Sequence, residues 1–333
     1  MKRFLDLADF ERDEIVALLE LARRLQAHPE PHALAGKILG LLFFNPSLRT
    51  LASMQAGMAR LGGSSFVITP GQGTYHIETR LGAVMDGAAA EHIREGLPVL
   101  ASYCDVLGIR SFGEHKNLTE DIAETSFKAM AELVRKPLVN LESSANHPCQ
   151  ALADWKTLDD YGIARNARFV LSWAYHPRAL PLAVPASAVH MAAYRGMDVV
   201  VLRPEGFGLP PQILAKAQRA AAASGGSVRE TDDRREALAG AQVVYAKEWG
   251  STTHYGDADA DGRLRAKLTD WCVRESWFAH AAPDCRLMHC LPVRRNTAVA
   301  DEVLDGPRSI VQREAENRMI VQMAVLHRML KGD

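Results

Sequence analysis

The stretch GLLFFNPSLRTLAS, Gly40–Ser53, decides how the chain is read. Gly40–Phe44 is apolar enough for a buried strand, Asn45-Pro46 ends it, and Ser47 then offers a hydroxyl where a helix can begin. A strand that turns directly into a helix is half of a parallel α/β unit. The helix start presents unpaired N–H groups and the positive end of the macrodipole, and Arg49 adds a fork suited to phosphate. The same residues also make an ordinary capped helix with a solvated arginine, so this stretch alone leaves both readings open.

Working outward, strand and helix patterns alternate along the chain. DFERDEIVALLELARRLQ reads as a helix, ILGLLFF as a strand, and Ser47 to about Leu61 as a helix stopped by Gly62-Gly63. SSFVIT, CDVLGIR and PLVNLE read as strands, with helices over Glu91–Tyr103 and Ile122–Leu133 between them. CQALADWKTLDDYG opens a second half with strands RFVLSWAY, DVVVL, VVYAK and RLMHCLP and helices near Ala183–Tyr194 and Pro211–Ala223. The last helix carries Met319, Met323, Leu326 and Leu330 on one stripe. The expected fold is α/β: two domains, each with a mainly parallel sheet flanked by helices. Residues 1–145 form the first domain, 146–310 the second, and 311–333 a C-terminal helix that packs back on the first.

Ligands of open α/β sheets bind beyond the carboxyl ends of the strands. Those ends carry Ser47, Arg49 and Thr50; Tyr75 in the loop PGQGTYH; Arg110; Glu142 and His147; His176 and Arg178; Lys247; and Cys290, Leu291 and Arg294. Seven such ends are expected to converge on one rim. GQGTYH lacks the third glycine of a dinucleotide fingerprint and the Lys-Ser/Thr of a P-loop, so it reads as a flexible loop. His147-Pro148-Cys149 and His289-Cys290 have poor geometry for a shared tetrahedral site, and no metal is expected.

The 333 residues carry a formal net charge of -1, 47% hydrophobic and 24% charged residues. That excludes broad electrostatic attraction to nucleic acid or anionic membrane and fits a globular protein. No apolar run reaches the ~18 residues of a membrane span. The opening MKRFLDLADFERDE carries acids too early for a secretory leader, and five widely spaced cysteines fit reduced thiols, so a cytoplasmic location is expected.

FNPSLRT, HPCQALAD and HCLPVRRN, in this order, resemble the carbamoyl-phosphate S-x-R-T motif, H-P-x-Q-x-L-x-D and H-C-L-P of the aspartate/ornithine carbamoyltransferase superfamily. The resemblance runs along essentially the whole chain. YAKEWGS in place of an aspartate and an S-M-G loop, with MDGAAAEH, GIRSF and SWAYHPRALPLAVPAS, resembles the N-acylornithine branch, whose proline-rich loop is knotted. The resemblance implies transfer of a carbamoyl group from carbamoyl phosphate to the δ-amine of an N-acylated ornithine, in arginine biosynthesis. It implies that Ser47, Leu48 (through its backbone), Arg49 and Thr50 hold the phosphate. Thr50, Arg110 and His147 would polarise the carbamoyl oxygen, and Gln150 would hold the carbamoyl nitrogen. Cys290 and Leu291 would steer the amine, and Glu142, Lys247 and Arg294 would meet the acylated amino acid. Tyr75 would reach a neighbouring subunit's site in a homotrimer. No metal or organic cofactor is implied.

The chain departs from that family pattern at Leu51, where relatives carry an arginine, and at Tyr75, where they carry Trp. Ala298 stands where acetyl-type members have a lysine. Ala90 is neither the acid of acetyl-type nor the proline of succinyl-type members. Ala90 does not repel a second carboxylate, which Arg178 and His176 can meet, so N-succinylornithine is favoured over N-acetylornithine. The alternatives are a carbamoyltransferase for ornithine or another amine, and a catalytically weak ligand-binding paralogue.

Overall fold

The computed structural model describes residues 1–331, which divide into two units. The first comprises residues 1–114, 119–149 and those from 318 on; the second comprises 115–118 and 150–317. The division falls after Cys149, inside the helix Pro148–Asp160, rather than ahead of it at 145. Residues 311–317 belong with the second unit because Glu314 and Asn317 bond Gln150 and Thr157 there. Residues 332–333 of the expected C-terminal segment lie outside the described residues.

In the first unit the strands are β1 (Arg3–Phe4), β2 (Ile38–Phe43), β3 (Ser64–Ile68), β4 (Ile77–Glu78), β5 (Glu91–His92), β6 (Val106–Arg110) and β7 (Leu138–Glu142). Five make one parallel sheet in the order β1-β7-β6-β2-β3, and β4 pairs with β5 beside it. Strands covered on both faces must be apolar throughout, which is why ILGLLF and VLGIR read as runs rather than alternations. Leu39, Leu41, Leu42, Leu107 and Ile109 are fully buried. Gly40 is required by crowding: a Cβ there would stand 3.0 Å from Cys104, Leu107 and Phe66. The chain runs outward from β2 to β3, then returns to place β6 on the other side of β2, so the order reverses between β2 and β6. A reversal of this kind opens a crevice at the carboxyl ends of the two strands.

The second unit repeats the plan with β8 (Arg168–Trp173), β9 (Asp198–Leu202), β10 (Ser227–Thr231), β11 (Val243–Lys247) and β12 (Arg286–Met288), all parallel in the order β10-β9-β8-β11-β12. Its reversal lies between β8 and β11. Each sheet thus presents its own row of carboxyl strand ends. After β8 the proline-rich segment is laced to later chain: Tyr175 N–H donates to Trp271 O at 2.9 Å, and Gly250 N–H to Leu180 O at 3.0 Å. Trp173 Nε1 donates to Trp249 O at 3.0 Å, and the buried Arg265–Asp261 pair supports the same turn.

Three elements depart from expectation. β10 was not read as a strand, because SVRET is polar and lies at a sheet edge. His92 caps the helix Ile93–Ser102, and Glu91 belongs to β5. The helix expected over Ile122–Leu133 is two, Leu118–Ala123 and Thr125–Leu133, broken at Glu124 with φ 55°. Among the described residues no helix is long and apolar enough to cross a membrane.

Candidate active site

The first unit gathers its functional groups at the β2/β6 reversal. Ser47 caps the helix Leu48–Arg60, its Oγ accepting from Thr50 N at 3.3 Å. Thr50 Oγ1 accepts from Ser47 Oγ at 3.0 Å and from Arg318 Nη2 at 2.6 Å. With both contacts arriving as donors, the Thr50 hydroxyl keeps its own proton to give. Leu48 turns its side chain out, 80% exposed, so only its backbone is presented at the helix start.

Arg110 ends β6, where the ladder shifts register between Ile109 and Arg110. Such irregularities re-aim a side chain. Its guanidinium bonds Glu142 at the end of β7 and donates through Nε to Asn45 O at 3.1 Å. Asn45 Oδ1 also accepts from Phe112 N at 2.8 Å, so the turn after β2 and the turn after β6 are one hydrogen-bonded assembly. His147 Nε2 lies 3.5 Å from Glu142. Burial holds the His147 pKa well below its ordinary value, and the charges of Arg318, Arg110 and Arg49 push it the same way. The ring is therefore neutral and can donate one N–H. Three guanidinium groups, a helix N-terminus and one carboxylate leave this place with an excess of positive potential, the requirement for an anion.

The neutral state of His147 has a measurable consequence. Below about pH 6.5 the unfolded chain takes a proton on this histidine and the native state does not. Its stabilising contribution is full above that pH and falls as pH drops, by up to ~1.4 kcal/mol per unit. Denaturant midpoints are expected to decline between pH 7 and 5, and His147→Asn to flatten the decline. An unchanged slope in the variant would assign the effect elsewhere.

The second unit presents its groups at the β8/β11 reversal. His176 Nδ1 lies 2.9 Å from Arg178 O, and Arg294 Nε donates to His176 Nε2 at 2.9 Å. Nδ1 also faces Arg178 N at 3.0 Å, and with Arg294 donating to Nε2 the ring is held neutral, in keeping with a pKa lowered mainly by burial. Both ring nitrogens are engaged, so His176 orients Arg294 rather than standing ready as a cation for a carboxylate. Arg178 is exposed. Lys247 Nζ donates to Glu248 O at 3.0 Å and to Glu248 Oε2 at 3.1 Å, and His289 Nε2 lies 3.3 Å from the same carboxylate. Burial acts to raise the Glu248 pKa, but Lys247 and His289 outweigh it and hold the group ionised. His289 Nδ1 accepts from Leu291 N at 2.9 Å, and Leu291 takes φ 56°, a strained value for leucine. Gln150 donates through Nε2 to Asp154 at 2.7 Å and to Glu314 at 3.1 Å.

Tyr75 and Ala90 lie in an exposed segment of the first unit. The Tyr75 hydroxyl donates to Glu91 at 2.6 Å, and Ala90 N–H to His76 O at 3.1 Å. All five cysteines are free and buried, and no cluster of three or more His, Cys, Asp or Glu among the described residues is placed to hold a metal ion.

Sequence reading missed Arg318, whose apolar neighbours hid it, and Glu124. The buried Glu124 carboxylate receives Ser143 Oγ, Ala145 N–H at 3.0 Å and Asn146 Nδ2 at 2.8 Å. It thereby shapes the turn between Glu142 and His147. The helix break at Glu124 is the price of that reach, and no spacing rule foretells it.

Residues 2–160 match the carbamoyl-P binding domain, and residues 183–329 the Asp/Orn binding domain, of aspartate/ornithine carbamoyltransferase. The chain is 38% identical to an N-acetylornithine carbamoyltransferase of Xanthomonas campestris, over 98% of this chain and 97% of that one. It is 36% identical to an N-succinylornithine carbamoyltransferase of Bacteroides thetaiotaomicron, over 89% and 88%. A solved N-acetyl-L-ornithine transcarbamylase variant, with a glutamate replaced by alanine and complexed with carbamyl phosphate and N-succinyl-L-norvaline, superimposes with TM-score 0.94 at 38% identity, covering 99% of this chain and all of that one.

Proposed function

Because the chain belongs to the aspartate/ornithine carbamoyltransferase family and is a transferase of carbamoyl groups, we propose that it carbamoylates the δ-amine of an N-acylated ornithine, with N-succinyl-L-ornithine preferred over N-acetyl-L-ornithine. The observation that carries the donor half is the neutral, buried His147 set among Arg49, Arg110 and Arg318 beside the Ser47–Thr50 cap. Phosphate binds the cap and Arg49. Thr50, Arg110 and His147 donate toward the carbamoyl oxygen, where negative charge builds as the amine nitrogen attacks carbon. The carbon–oxygen bond to phosphate then breaks, and the nitrogen gives up its proton as phosphate leaves. Positioning and fixed donors supply the catalysis, with no metal or organic cofactor in the chemistry.

Ala90 supports the succinyl preference. Solved relatives in which one glutamate is changed to alanine, proline, serine or valine are complexed with an N-succinyl ligand, and Ala90 stands where acetyl-type members carry an acid. Arg178, Lys247 (bonded to Glu248) and Arg294 (bonded to His176) are the cations assigned to two carboxylates, with Glu142, Cys290 and Leu291 completing the acceptor groups. The branch's homotrimer, with Tyr75 reaching a neighbouring copy, its knotted loop and a cytoplasmic setting in arginine biosynthesis belong to the same reading. The test is phosphate release from carbamoyl phosphate with ornithine, N-acetylornithine or N-succinylornithine as acceptor. The N-succinyl compound is expected to give the highest kcat/KM. A higher value with N-acetylornithine would reverse the acyl assignment, and release only with ornithine would overturn the acylated acceptor.

A further inference from the structure

Behind the second unit's rim lies a dry polar cluster of Gln150, Asp154, Tyr245 and Glu314, each at most 1% exposed. Gln150 and Asp154 stand one turn apart on the helix Pro148–Asp160 and Glu314 in the first turn of Val311–Leu330. The amide nitrogen of Gln150 gives one hydrogen to Asp154 Oδ1 at 2.7 Å and the other to Glu314 Oε1 at 3.1 Å. Glu314 Oε2 accepts the backbone N–H of His289 at 2.9 Å. The Gln150 oxygen makes no hydrogen bond. Nothing in the family motifs read from the sequence gave Glu314 a role.

We propose that Glu314 and Asp154 are positioning residues that fix the Gln150 amide with its oxygen as the open acceptor and tie it to the backbone of His289–Leu291. The inference rests on the carbamoyl-transfer reading above. A carbamoyl NH2 has only hydrogens to offer, so it needs an acceptor; a flipped Gln150 would set one NH2 against another. The Asp154 carboxylate, which can only accept, and an accepting Glu314 oxygen on the same amide nitrogen oppose that flip. The link to His289 N–H registers this acceptor against Cys290 and Leu291, whose carbonyls steer the incoming amine.

Two adjacent carboxyls in a dry interior cannot both ionise. One proton is held between them, and Glu314 carries it: burial and the neighbouring Asp154 charge raise its pKa far more than the His289 N–H lowers it. The Tyr245 hydroxyl, its own ionisation suppressed mainly by burial and further by the Asp154 charge, faces the pair from β11, and Cys290 and His289 lie near it.

The test joins infrared spectroscopy and kinetics on the full chain. A difference spectrum of wild type against Glu314→Gln at neutral pH is expected to show a protonated carboxyl C=O stretch; its absence overturns the shared proton. Glu314→Gln, a permanent neutral substitute that keeps one acceptor oxygen for either the Gln150 amide or the His289 N–H, is expected to lower kcat less than Glu314→Ala does, with a pH profile superimposable on wild type. Glu314→Ala frees the amide and the His289 N–H, and is expected to lower kcat at least tenfold with KM for carbamoyl phosphate changed less than threefold. Equal damage in both variants, or full kcat in Glu314→Ala, overturns the positioning role. Should Glu314→Ala fail to fold, the Glu314→Gln profile and the infrared band decide. Wild-type protein that transfers carbamoyl to none of the three amines overturns the functional reading itself, which the infrared result leaves distinguishable.

Discussion

Arg49→Ala is expected to lower kcat/KM for carbamoyl phosphate by at least ~100-fold, on the order of 3 kcal/mol of lost transition-state stabilisation. Arg49 lies in the first turn of the helix that Ser47 caps, and its charge acts on His147. On the proposed mechanism, both placements put the guanidinium where phosphate charge is held before and during departure. Leu51 adds no further cation to the helix start, so the cap here leans on Arg49 and on Arg318, which arrives from the C-terminal helix. Because Arg49 is only half-buried, its loss is expected to leave the thermal midpoint nearly unchanged. The measurement is kcat/KM alongside a melting curve. Near-normal turnover in a folded Arg49→Ala protein would sink the anion-cradle assignment.

Arg110→Ala is expected to remove activity and stability together. Arg110 and Glu142 are 8% and 9% exposed and bonded to each other. Deleting one member of a buried pair strands the other without a partner charge, at a cost of about 3–5 kcal/mol. The Nε bond to Asn45 O goes too, loosening the turn that follows β2. A fall of the melting temperature on the order of 10 °C should accompany the loss of turnover. The control is the double variant Arg110→Met with Glu142→Leu, which replaces the pair by apolar volume. It should regain most of the stability and none of the activity. A single Arg110→Ala variant as stable as wild type would show that the pair contributes no net stability.

The most readable features were those in which local and tertiary demands agree. ILGLLF and DVVVL are apolar throughout because parallel strands are covered on both faces, so they announced themselves. Ser47 was legible because a cap satisfies its own helix. The misses are places where distant contacts override local preference. SVRET forms β10 only because Asp198–Leu202 offers it an edge. Glu124 breaks a helical stretch to reach Ser143, Ala145 and Asn146. The position of His176 beside Arg178 does not foretell that its Nε2 takes a hydrogen bond from Arg294, 118 residues away. Arg318 and Glu314 flank the apolar stripe that identifies the last helix, and no spacing rule connects them with Thr50 or Gln150.

The Arg318–Thr50 bond spans 268 residues of chain. At a synthesis rate of about 5–20 residues per second, Thr50 precedes Arg318 by on the order of 10–60 s. From Glu142 onward, over the 176 residues that precede Arg318, the first sheet has all its strands, yet its anion site lacks one of three guanidinium groups. Until Arg318 has been made, a first sheet complete in its strands therefore lacks the donor that Thr50 Oγ1 accepts from, and the cap at Ser47–Thr50 takes its final form only near the end of synthesis.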